Sequence, residues 1–131
     1  MEAKKHILII TDGSGETDQM AGQIAAALKG HDVSVKAASE FMGNDLLPAD
    51  AFFIGCEKPN PDSFVYLADL LKHINLAGRP CGVFSPGSES AARYMADLVK
   101  DSEAALNPQP LLTCSGGDVE IWAQKSISKS F

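Results

Sequence analysis

Thr11-Asp12-Gly13-Ser14-Gly15-Glu16-Thr17 is the stretch on which the reading of this chain turns. It follows an apolar run, His6-Ile7-Leu8-Ile9-Ile10, and precedes a helical pattern that begins near Asp18. A strand, a turn of small and hydroxyl residues, then a helix N-terminus is how α/β proteins build a seat for an anion. The unpaired N–H groups of a first helical turn, together with the helix dipole, favour negative charge. Gly13 and Gly15 let the backbone curl and let an oxygen approach with no Cβ in the way. Ser14 and Thr17 add hydroxyls as candidate donors. No Gly-Lys-Ser/Thr is present, which excludes a Walker-type nucleotide loop. A Gly and a Ser also suit a βα turn that only turns and caps.

Working outward, strands and helices alternate to both ends of the chain. Met20, Ala21, Ile24, Ala25 and Leu28 recur at three- and four-residue spacing, which predicts an amphipathic helix ended by Gly30. Val33 to Ala37 alternates apolar and polar, as a sheet-edge strand does. Phe41 to Leu47 reads as a short helix or a loop. Ala51-Phe52-Phe53-Ile54-Gly55 is an unbroken apolar strand, and Asp62 or Ser63 is placed to cap a helix that buries Phe64, Leu67, Ala68, Leu71 and Ile74. A strand at Cys81 to Phe84 precedes a helix capped by Ser88, with Ala91, Ala92, Met95, Leu98 and Val99 inward. A fifth strand is expected at Leu111-Leu112-Thr113-Cys114. A last helix, capped by Asp118, turns Val119, Trp122, Ala123 and Ile127 inward.

Five strands alternating with about five helices mean right-handed βαβ units and a parallel sheet. Strands one, three and four are continuously apolar, so both their faces are covered. The second strand alternates and belongs at an edge. The expected fold is a three-layer α/β/α sandwich with a five-stranded parallel sheet in the order 2-1-3-4-5, in one domain spanning residues 1–131. Ligands of such sheets bind beyond the carboxyl ends of the strands at the point where the order reverses, here between strands one and three. The loops at 11–17, 55–62 and 84–90 flank that point.

Composition bounds the function. The chain has 131 residues and a formal charge of −6, with a mean hydropathy of −0.02. That is the composition of a soluble globular domain, and its acidity repels phosphate backbones, so no nucleic-acid partner is expected. No apolar run is long enough for a membrane span. Met1 to Lys5 leads straight into a strand, with no signal-like apolar segment. Three scattered cysteines, Cys56, Cys81 and Cys114, without a CxxC fit reduced thiols in a cytoplasm. No metal-ligand spacing links His6, His31 and His73.

The chain resembles the flavodoxin family at the opening loop and beyond it. That family's phosphate loop reads Ser/Thr-x-Thr-Gly-x-Thr, and one short-chain branch carries Ser-Gly-Thr-Gly-Asn-Thr followed by Met-Ala-x-x-Ile. The corresponding residues are Asp12-Gly13-Ser14-Gly15-Glu16-Thr17, then Met20-Ala21-Gly22-Gln23-Ile24. Asp50-Ala51-Phe52-Phe53-Ile54-Gly55 is similar to the family's third strand, which ends in a glycine before the flavin loop. The resemblance implies FMN, its phosphate held by Thr11, Asp12, Gly13, Ser14, Gly15, Glu16 and Thr17 without a protein cation. It implies a flavin ring flanked by Cys56, Glu57, Lys58, Pro59 and Asn60 on one loop. Ser85, Pro86, Gly87, Ser88 and Glu89 supply the other. The implied function is electron transfer to redox partner proteins with basic docking surfaces, with no catalytic residues, because the cofactor carries the chemistry.

Two departures from the family pattern stand out. Asp12 replaces a hydroxyl, and a carboxylate about 5 Å from a phosphate costs about 3 kcal/mol at an effective dielectric near 20. The two ring-flanking loops carry no Trp, Tyr or Phe, the side chains that usually stack on the flavin; Phe64, Tyr66 and Tyr94 fall within the helices that follow. A flavodoxin-fold domain that has lost flavin and serves as a binding or interaction module is the competing reading. A response-regulator receiver is excluded, because strand three does not end in Asp and strand five does not end in Lys. A phosphatase of this fold would need a Cys in the first loop. Cys56 and Cys81 read as small core residues.

Overall fold

The computed structural model describes residues 4–113 and 117–130. The chain alternates β1 (His6–Thr11), α1 (Gly15–Ala27), β2 (Asp32–Ala37), α2 (Gly43–Leu46) and β3 (Ala51–Gly55). A 3-10 turn at Asp62–Phe64 then leads into α3 (Val65–His73), followed by β4 (Pro80–Phe84), α4 (Glu89–Lys100), β5 (Ala105–Leu106) and α5 (Asp118–Ser128). The sheet has the order β2-β1-β3-β4-β5, and every pairing is parallel. This is the architecture and strand order expected from the sequence.

The period of two along each strand sends alternate side chains into two cores. Ile7, Ile9, Phe53 and Phe84 pack with Met20, Ala21 and Ile24 of α1 and with Val119, Trp122 and Ala123 of α5. On the other face Leu8, Ile10, Phe52, Ile54, Cys56 and Val83 meet Leu67 and Leu71 of α3 and Ala91, Met95 and Val99 of α4. All five residues of β3 and of β4 are buried, so helices cover both faces of these central strands. β2 is mostly exposed or half-buried, as an edge strand should be.

Three local expectations are corrected. The fifth strand is not at Leu111–Cys114 but at Ala105–Leu106. The chain then leaves the sheet at Asn107-Pro108-Gln109-Pro110 and returns at Leu111, which makes one isolated parallel bridge to Phe84. Prolines have no N–H to give a ladder, and the excursion is held elsewhere: Asn107 Nδ2 donates to Ser126 Oγ (3.0 Å) and Trp122 Nε1 to the Gln109 carbonyl (2.6 Å). The expectation for Cys114 lies outside the described residues. Asp118 does not cap α5; it is the first helical residue, after Gly117. Neither Asp62 nor Ser63 caps the third helix, since the chain enters through the 3-10 turn after Pro61, and Ser63 bonds elsewhere. Ser14 and Ser88 do cap α1 and α4, accepting from Thr17 N and Ala91 N.

Candidate functional site

Because β1 and β3 are neighbours, the loops that leave their carboxyl ends are neighbours too. Thr11 closes β1, buried, and its Oγ1 donates to Asp18 Oδ1 (2.7 Å) while accepting from Gly13 N (3.2 Å). That pair locks the loop onto the first turn of α1. Gly13 has a φ of 82°, a left-handed conformation that L side chains rarely adopt. Ser14 Oγ accepts from Thr17 N (3.4 Å) and donates to Thr17 Oγ1 (2.7 Å). The hydroxyls of Thr11 and Ser14 thus shape the loop from within rather than pointing outward as free donors.

The donors left over are on the backbone. Among the described residues, Gly15 N–H and Glu16 N–H at the start of α1 have no acceptor in the protein. A Cβ added at Gly13 or Gly15 would meet nothing within 4 Å, so open space lies above both. Two free amides, a helix dipole and room above a glycine turn fit the phosphate end of FMN.

Asp12 is the residue whose structural role the sequence does not reveal. Its Oδ1 accepts from Ser14 N (3.0 Å) and its Oδ2 from Glu57 N (2.8 Å), so one carboxylate ties the loop after β1 to the loop after β3. Ser63 Oγ, expected as a helix cap, instead donates to the Asp12 carbonyl at 3.4 Å. Asp18 was missed. No sequence signal marks either contact, since the partners lie 51 and 7 residues apart.

In the second loop Cys56 is buried, Glu57 is half-buried, and Lys58, Pro59 and Asn60 are exposed. Asn60 has a φ of 52°. Burial, then the nearby Asp12 carboxylate, push the Cys56 thiol up to about 12. A protonated, enclosed thiol is no nucleophile at neutral pH. In the third loop Ser85 is buried at the end of β4, and its N–H donates to the Leu111 carbonyl (2.9 Å). Among the described residues its Oγ has no partner, an orphaned polar atom beside the loop's first turn. Gly87 N donates to the Leu112 carbonyl (3.0 Å), Ser88 caps α4, and Glu89 lies 3.8 Å from Arg93. The Leu111–Leu112 backbone, also missed from sequence, thus holds the third loop in place.

The nearby aromatic rings are committed to packing. Phe64 lies against Tyr94 with ring centroids 6.4 Å apart, and Tyr66 against Phe41 at 5.4 Å. Tyr66 Oη also accepts from Gly43 N (2.9 Å). Lys58 is the only Lys or Arg in the three loops, against Asp12, Glu16, Glu57, Asp62 and Glu89. Among the described residues no three His, Cys, Asp or Glu side chains gather in an arrangement that could hold a metal ion, and no helix is long and apolar enough to cross a membrane.

The chain has the flavodoxin fold. It superposes on oxidised flavodoxin 2 from Bacillus cereus with a TM-score of 0.78 at 22% identity, over 98% of this chain and 100% of the other. A short-chain flavodoxin associated with a PDU bacterial microcompartment gives 0.81 at 16% identity, over 98% and 99%. A Fusobacterium nucleatum flavodoxin mutant bound to flavin mononucleotide gives 0.72 at 13%, over 98% of each chain. No family profile matches the sequence, and no curated protein does either.

Proposed function

We propose that this protein binds FMN at the carboxyl ends of β1, β3 and β4 and carries electrons between partner proteins. The observation that carries the reading is the pair of free amides, Gly15 N–H and Glu16 N–H, at a strand-to-helix glycine turn with open space above it. The fold supports it, since solved structures of that fold include one described as bound to FMN. Thr11 to Thr17 seat the phosphate, the amides donating while Thr11, Ser14 and Thr17 hold the loop in shape. Cys56 to Asn60 and Ser85 to Glu89 flank the ring. When bound, FMN supplies one- and two-electron chemistry that no side chain here provides. The exposed carboxylates of Glu16, Asp18, Asp62 and Glu89 suit partners with basic docking surfaces. A reducing cytoplasm keeps Cys56 and Cys81 as the free thiols they are.

The test is the visible spectrum of the protein purified without added cofactor, repeated after FMN addition and desalting. Flavin absorbance in either sample is expected. Its absence from both would leave the second reading, a flavin-free binding or interaction module. The Asp12 carboxylate beside the phosphate seat and the lack of a free aromatic ring near the loops favour that alternative.

A further inference from the structure

Asp12 lies in the turn between β1 and α1, just before the two free amides. Its carboxylate takes up Ser14 N–H, the amide just before the two free ones, and fixes Glu57 N–H at the start of the second loop. In effect the protein carries an anion of its own within its anion seat. We propose that Asp12 sets the charge preference of the flavin site: it latches the two loops together without ligand and flattens the site's preference for phosphorylated over unphosphorylated flavin. This rests on the FMN reading above.

A fixed carboxylate about 5 Å from a bound phosphate repels it by an amount equivalent to roughly a hundredfold in affinity at an effective dielectric near 20. The surroundings do not cancel this. Glu16 and Glu57 are carboxylates, Asp18 is engaged with Thr11, and Lys58 is exposed with no ion pair among the described residues. Asp12 also competes with a ligand for donors. Each amide given to Asp12 is one that a phosphate oxygen cannot use unless the side chain swings away. Riboflavin, with the same ring and no phosphate, escapes both effects. The ratio of riboflavin to FMN dissociation constants therefore isolates the loop from whatever holds the ring.

Asp12→Asn removes the charge and keeps one acceptor oxygen. A purely structural clasp predicts lower stability with an unchanged or smaller ratio. The charge-setting role predicts lower stability with a ratio at least ~10 times larger than in the wild type. Fluorescence titration with FMN and with riboflavin measures it, and an unchanged or smaller ratio overturns the proposal. Amide spectra of isotopically labelled protein titrated with inorganic phosphate supply a flavin-independent arm. The Gly15 and Glu16 resonances should move at phosphate concentrations at least ~10 times lower in the variant. Equal concentrations in both proteins, or no movement in either, also overturn the proposal. If neither protein binds flavin while phosphate separates them as expected, the FMN reading fails, and Asp12 stands only as the residue that weakens phosphate binding at this turn.

Discussion

Gly55 shows how closely single atoms are set at the carboxyl end of the sheet. A Cβ there would lie 2.2 Å from the Phe84 ring, which is wholly buried against α1 and α5 and has nowhere to retreat. Gly55→Ala should therefore destabilise the fold by about 1–3 kcal/mol, the usual cost of overpacking a core. It should also loosen the loop that begins at Cys56. Urea denaturation measures the first effect, and amide exchange at Glu57 the second; an unchanged midpoint would show that the ring yields. In sequence, Gly55 was legible as the end of a strand before a candidate loop. Its function as the bare patch beneath an aromatic ring was not, because Phe84 comes from a different strand. Asp12 teaches the same lesson: its position was legible as a departure in the loop, while its two amide partners were not.

Among the elements, β5 is the one the sequence placed wrongly. Two residues, Ala105 and Leu106, are too few to show a period, and Leu111 to Cys114 displayed the stronger apolar pattern. What decides the location is a polar anchor. Asn107 is buried, with its Nδ2 on Ser126 Oγ and its Oδ1 accepting from Gln109 N (2.9 Å). Ser126 in turn donates to the Trp122 carbonyl of α5 (2.9 Å). Asn107→Ala strands Gln109 N–H and the Ser126 acceptor and should cost about 1–3 kcal/mol. Because Leu111 and Leu112 hold Ser85 and Gly87, the same change should raise amide exchange across the third loop. A thermal melt and exchange rates check both, and exchange confined to 107–110 would show that the loop is anchored independently. The helices were easier to read, since their inward faces are set by spacing within one segment.

For the molecule as a whole, two thiols share the core layer beneath α3 and α4. Burial raises both, Cys56 from 9.0 to about 12 and Cys81 also upward. Tyr94, packed on the same layer, is raised by burial and by Cys56. The folded state therefore keeps protons that the unfolded chain releases above about pH 9. The two thiols' contribution to stability should be constant below that pH and fall between about 9 and 12, by up to about 1.4 kcal/mol per pH unit for each thiol that is ionised in the unfolded chain. Urea midpoints at neutral and alkaline pH measure the slope. Cys56→Ala should reduce it, and an equal slope in that variant would assign the loss to other groups.

Apolar periodicity is a property of each segment taken alone, so it suffices to order the strands and helices, to put the alternating strand at the edge and the unbroken ones at the centre. It also suffices to place a glycine turn before the first helix. Hydrogen bonds between distant segments are not properties of either segment alone. That Asp12 reaches Glu57, 45 residues on, and that Asn107 anchors to α5 follow from which strand ends the closed sheet sets side by side. The loop at 11–17 was therefore legible as a candidate anion seat from its residues alone. That the Asp12 carboxylate also clamps the loop after β3 emerges only when β1 and β3 lie next to each other.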